Sequence, residues 1–213
     1  MMKGNTMAYL DPTEYANYGL PVGTTADWTT AATAVINSYC RRPDLNVIQY
    51  EERLRVVVGS QTVRLSFLPL AVMGSATTPF VSISGRYIRP RRGELPNQPL
   101  SEVVWTFSLP GQWTEIDMNL VDYDKKTGEL MLPCNVLGLP YNEVDVVYTA
   151  GLTVIGDDVK SACAQIVRNA QATPALNASM SRIDTMQMSY FSSSLIDETV
   201  QAWLNPYVAN RLG

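Results

Sequence analysis

The sequence predicts an α+β protein: a small antiparallel helical bundle, a large inserted antiparallel β region, and an extended C-terminal arm made of a strand and a short helix. Three observations predict it. Apolar residues recur at helical spacing over residues 28–40 and again over 159–170. Residues 47–150, between those stretches, are rich in β-branched and aromatic types broken by Gly, Pro and Asn. After the second helical stretch a period-two alternation appears at 184–190.

The elements follow in order. Asp11, Pro12 and Glu14 supply an N-cap acid, a proline at the first helical position and a capping-box glutamate, which predicts a short helix ending at Gly19. A second helix begins near Thr25 or Asp27. Its apolar stripe is Trp28, Ala31, Ala32, Val35, Ile36, Tyr39 and Cys40, with Arg41 and Arg42 in the last turn before Pro43. In the β region, 52–58 and 62–67 flank Gly59, Ser60 and Gln61, a hairpin signal. Further strands are expected at 80–83, 103–107, 113–120 and 144–148. The turn 124–128, closed by Gly128, separates 121–123 from 129–132. Residues 90–100 read as a proline-rich loop. Asp157 and Asp158 then open a third helix with Val159, Ala162, Cys163, Ile166, Val167 and Ala170 on one face, expected to lie antiparallel to the second and to end at Pro174. The expected division is a helical core of 1–46 with 151–180, a β insertion of 47–150, and a C-terminal arm of 181–213.

In the arm, Met186, Met188 and Tyr190 alternate with Thr185, Gln187 and Ser189, the pattern of a half-buried strand in need of a neighbour. A polar step at 192–194 leads to Leu195, Val200, Trp203 and Leu204, with Asp197 and Glu198 in the first turn and Pro206 and Tyr207 closing the run. Two readings stay open: strand and helix fold back on their own domain, or they reach another subunit.

Composition bounds the function. The chain has 213 residues, 46% hydrophobic and 17% charged, enough for one domain or a core with one large insertion. No run of 18 apolar residues occurs and residues 1–6 lack a secretory apolar segment, so no membrane contact is expected. The three cysteines, Cys40, Cys134 and Cys163, are widely spaced, which argues against a disulfide framework or a metal site. Histidine is absent, which removes Ser-His-Asp and Cys-His chemistry and the usual base near neutral pH. No phosphate-binding glycine motif compensates, so the chain is not expected to be an enzyme or to carry a cofactor. A net charge of −4 argues against binding led by nucleic-acid phosphates. The dense basic patch Arg86, Arg89, Arg91 and Arg92 has a bland reading, a solvated loop, and a sharper one, contact with an acidic partner or with DNA. Trp105 and Trp113 suit a β core first and a glycan-binding surface second.

The order of these short motifs carries a resemblance. The opening Tyr9-Leu10-Asp11-Pro12-Thr13-Glu14-Tyr15, the helix ending Tyr39-Cys40-Arg41-Arg42, Thr127-Gly128-Glu129-Leu130, and Val147 to Gly151 come first. The Asp157–Cys163 helix start, Ser181-Arg182-Ile183-Asp184 and Leu204-Asn205-Pro206-Tyr207 follow. Together they resemble the head–tail connector (adaptor) proteins of tailed bacteriophages and gene transfer agents. The long β segment departs from the smaller members. The resemblance implies a virion protein of the neck, assembled in the host cytoplasm. Its subunits would form a ring, commonly twelve-fold, beneath the portal protein, extend the DNA channel without binding DNA specifically, and offer a platform to a head-closure or tail protein. It further implies that Ile183, Met186, Met188, Tyr190, Leu195, Val200, Trp203, Leu204 and Tyr207 contact the portal or a neighbouring subunit. The alternatives are a head-closure or tail-completion protein, and a β-domain ligand- or carbohydrate-binding module.

Overall fold

A computed structural model describes residues 8–56, 60–88, 111–134, 141–172, 180–183, 186–189 and 195–209. Helices and antiparallel sheets alternate along it in an α+β arrangement. The chain forms two compact units, one of residues 1–45 and 154–208, the other of 46–153 with 209–213.

The first unit is helical. Asp11 caps a 3-10 turn, Pro12–Tyr18, by accepting the Thr13 N–H at 2.9 Å, and Gly19 ends it in the left-handed region. Helix α1, Ala26–Cys40, buries Thr29, Ala32, Thr33, Ile36, Asn37 and Cys40. This stripe is displaced from the expected one: Ala31 faces solvent and Trp28 is 42% exposed. The polar residues tolerate burial because nearby backbone carbonyls, in the helix and just past its end, accept their hydrogen bonds. Thr29 and Thr33 donate to the carbonyls of Ala26 and Thr29 at 2.9 and 2.8 Å, and Asn37 donates to the Pro43 carbonyl at 3.0 Å. The arginines are also displaced from the last turn. Arg41 is the left-handed C-cap itself, and Arg42, beyond it, is buried. Helix α2, Asp157–Ala172, buries Val159, Ala162, Cys163, Ala164, Ile166 and Val167 and packs on α1. Helix α3, Glu198–Leu204, packs on both.

The second unit holds two sheets. Strands β1 (Ile48–Arg55), β3 (Phe80–Arg86), β4 (Thr114–Glu115) and β7 (Glu143–Ala150) form one, in the order β1-β7-β3-β4. Strands β2 (Thr62–Arg64), β5 (Asp122–Tyr123) and β6 (Glu129–Met131) form the other, in the order β2-β6-β5. The core draws on both, with Tyr50, Ile83, Val144, Val146 and Tyr148 from the larger sheet and Val63 and Leu130 from the smaller. The hairpin expected around residues 59–61 does not form. β1 instead pairs over its full length with β7, from Ile48 opposite Ala150 to Arg55 opposite Glu143, while β2 joins β6. The strand expected at 113–120 is cut to two residues, because Asp117 accepts the Asn119 N–H at 2.9 Å and starts a 3-10 turn over Met118–Leu120. The strand expected at 103–107 lies outside the described residues. Gly151, at φ 138°, ends β7 where an added Cβ would stand 2.2 Å from the Asn46 carbonyl oxygen, so only glycine fits.

The last two strands, β8 (Met180–Ile183) and β9 (Met186–Ser189), pair antiparallel with each other. The alternation read as one strand over 184–190 is therefore half of a hairpin whose neighbour is the segment just upstream.

Candidate assembly surface

The β8–β9 register sets Ile183 opposite Met186 and Ser181 opposite Met188. Positions 181, 183, 186 and 188 therefore share one face, and positions 180, 182, 187 and 189 share the other. Three of the four residues on the first face are apolar, whereas Arg182, Gln187 and Ser189 dominate the second. No other described strand pairs with either one. A lone two-stranded hairpin is at best marginally stable in water and gains stability from a third strand or a packed surface. Tyr190, expected with this set, lies outside the described residues.

The rest of the expected arm belongs to the helical unit. Asp197 caps α3, accepting the Val200 N–H at 2.8 Å and a 3.2 Å bond from Asn169. The Val200 amide, with Asn169 adding to it, holds the Asp197 carboxyl below its usual range despite partial burial. Val200 and Leu204 are fully buried. This corrects the expectation for Val200 and Leu204 as contacts to another chain, because α1 and α2 of the same chain already cover them. Trp203 and Tyr207 are half-buried, and Leu195 is 39% exposed.

The α2 N-terminus gathers both ends of that unit. Tyr18 donates to Asp157 at 2.6 Å, and Tyr207 donates to Asp158. The Tyr18 hydroxyl is pushed up to about 12 by its bond to Asp157, and that of Tyr207 to about 12 by burial and then by Asp158. Both tyrosines therefore stay protonated donors near neutral pH. Lys160 pairs with Glu14 at 2.6 Å, and Tyr39 donates to Asn205 at 3.0 Å. The two acids expected as helix openers thus also act as tethers.

No family model matches the chain, and no curated protein matches its sequence. Among the described residues no helix is long and apolar enough to cross a membrane, and no cluster of Cys, Asp and Glu could hold a metal ion. Burial pushes the thiols of Cys40 and Cys163 up to about 11, so both stay protonated near neutral pH and pack as small buried groups. Cys134 is half-buried and accepts from Gln61 at 3.0 Å.

Of the basic patch, Arg86 is described and Arg89, Arg91 and Arg92 are not. Arg86 does not belong to a solvated loop. It ends β3 and donates to Glu143 at 2.5 Å, while Arg53 donates to the same carboxylate from the other side at 2.8 and 3.0 Å. Both guanidiniums lie over the Trp113 ring, Arg86 at 4.5 Å and Arg53 at 5.4 Å from its centroid. Trp113 is therefore a cover for an ion-paired cluster on the outer sheet face, neither a core residue nor an open sugar platform. Trp105 lies outside the described residues. Sequence reasoning missed Arg53 and Glu143 because they meet across 90 positions. The available signal was the run Gln49, Glu51, Arg53 and Arg55, polar at every second position and exposed in the structure.

Proposed function

We propose that this chain is an adaptor subunit of a phage-type neck, forming a homo-oligomeric ring below the portal and serving as platform for a head-closure or tail protein. The observation that carries the reading is the hairpin 180–189. Its register gathers Ile183, Met186 and Met188 on one face, and it pairs with no other described strand. A segment of that kind gains its stability by adding strands or burying its face on another chain. The connector-like order of motifs supports the same assignment, and the proposed contact set is Ile183, Met186, Met188, Tyr190 and Leu195. The role is mechanical, not catalytic. DNA passes through such a ring without specific binding, in keeping with a net charge of −4.

Co-sedimentation with portal rings from the same particle tests it. The intact chain is expected to be captured stoichiometrically. A variant with residues 180–189 replaced by a Gly/Ser linker of equal length is expected to keep its helical circular dichroism and to stay in the supernatant. A stable monomer that portal rings ignore would move the assignment to a downstream neck protein or a ligand-binding module. Full capture of the linker variant would remove the hairpin from the contact.

A further inference from the structure

Strand β1 is an edge strand of eight residues, paired on one side with β7 and with no described strand on the other. Two backbone bonds fix which of its groups face outward. The Val56 N–H donates to the Asn142 carbonyl at 3.1 Å, and the Thr149 N–H donates away from β1, to the Pro79 carbonyl at 2.7 Å. In an antiparallel ladder these groups alternate, so the even residues of β1 bond β7 and Gln49, Glu51, Arg53 and Arg55 turn their N–H and C=O groups to the edge away from β7, where no described strand lies. The side chains of the same four residues are exposed on the outer face.

Charge on an edge strand ordinarily discourages pairing. Here one register makes the charges self-complementary. If a second copy pairs antiparallel about a two-fold axis at Glu52, Glu51 stands opposite Arg53, Arg53 opposite Glu51, and Gln49 opposite Arg55. An axis at residue 51 sets Glu51 against itself, and one at residue 53 sets Arg53 against itself. On the inner face Glu52 meets its own copy, but each carboxylate is held in its own fold, accepting from the Tyr148 hydroxyl at 3.0 Å and the Ser66 N–H at 3.1 Å. Arg53 donates from Nε and one terminal nitrogen to Glu143, and its side chain is 53% exposed, leaving guanidinium surface for a second carboxylate.

We infer that two copies of this chain associate through their β1 edges in this register, joining the four-stranded sheets into one sheet across a two-fold axis. The inference is independent of the portal assignment, which concerns the other unit.

Sedimentation across a concentration series tests it. The intact chain is expected to show a reversible monomer–dimer equilibrium. Glu51→Arg, which opposes like charges twice, is expected to raise the dimer Kd about tenfold or more. Glu51→Pro removes an outward N–H and no bond to β7, and is expected to abolish the dimer while the fold persists. The double variant Gln49→Cys/Arg55→Cys is expected to oxidise to a covalent dimer, because the two positions face each other only between copies. Within one chain they lie about 20 Å apart along the strand. Either single variant alone is not expected to cross-link. An intact chain that stays monomeric at all concentrations, an assembly unchanged by both Glu51 variants, or no cross-linking of the double variant overturns the inference.

Discussion

Glu143 stands where three strands meet, on β7 between Arg53 of β1 and Arg86 of β3, with its side chain only 7% exposed. Burial pushes its carboxyl up, but the hydrogen bonds and charges of Arg53 and Arg86 together outweigh burial and hold it below the ordinary value of 4.5. A group with a depressed folded pKa stabilises the fold fully above its unfolded value, and that stabilisation is lost as pH falls through the folded one. Glu143→Gln is therefore expected to lower stability by about 1–3 kcal/mol at pH 7. The variant should also lose less stability than the parent below pH 4.5. The Arg86 pair carries most of the effect, because Arg53 is 53% exposed and screened by water. Urea titrations at several pH values, followed by tryptophan fluorescence, measure both quantities, and parallel pH profiles for variant and parent would contradict the assignment.

At the level of elements, α3 decides whether the late helix serves its own chain or another. Leu204 is fully buried in the helical unit, so Leu204→Ala is expected to destabilise the isolated protein by about 2–5 kcal/mol. Removing the Asp197 cap with Asp197→Ala is expected to cost about 1 kcal/mol. Denaturant titration read by far-ultraviolet circular dichroism tests both, and an unaltered midpoint for Leu204→Ala would return the residue to the assembly surface. Local signals were legible in the sequence: Asp11, Gly19 and Gly128 sit at the caps and turns their chemistry favours, because those choices depend on neighbours within a few residues, whereas Asp197, expected inside the first turn, is the N-cap. Pairing was not. β1 and β7 are separated by most of the inserted region, and nothing in Gln49 to Arg55 names Glu143 to Ala150 as its partner. The α1 stripe was misplaced for a related reason, since threonines that bond their own helix look polar in sequence and behave as buried residues in the fold. The β8–β9 hairpin was half legible: its alternation was visible, its neighbour was not.

For the whole molecule, the β unit is one continuous segment, 46–153, with only the chain end 209–213 added, whereas the helical unit is assembled from two segments. Excised residues 46–153 are expected to fold alone, since apart from Ala209 every buried residue of the core cluster lies within them. A cooperative urea transition with a near-ultraviolet signal like that of the full chain checks this, and a gradual transition without that signal would count against it. The ends of this segment lie side by side through the bridge between Asn46 and Leu152. While the insert is folded, the helical unit is closed by what amounts to a short link. Once it unfolds, the same unit must close a loop of more than a hundred residues, which costs about 4 kcal/mol of chain entropy. Heat or denaturant that melts the sheets would thus loosen the helices through connectivity alone, with no side chain having to carry the message.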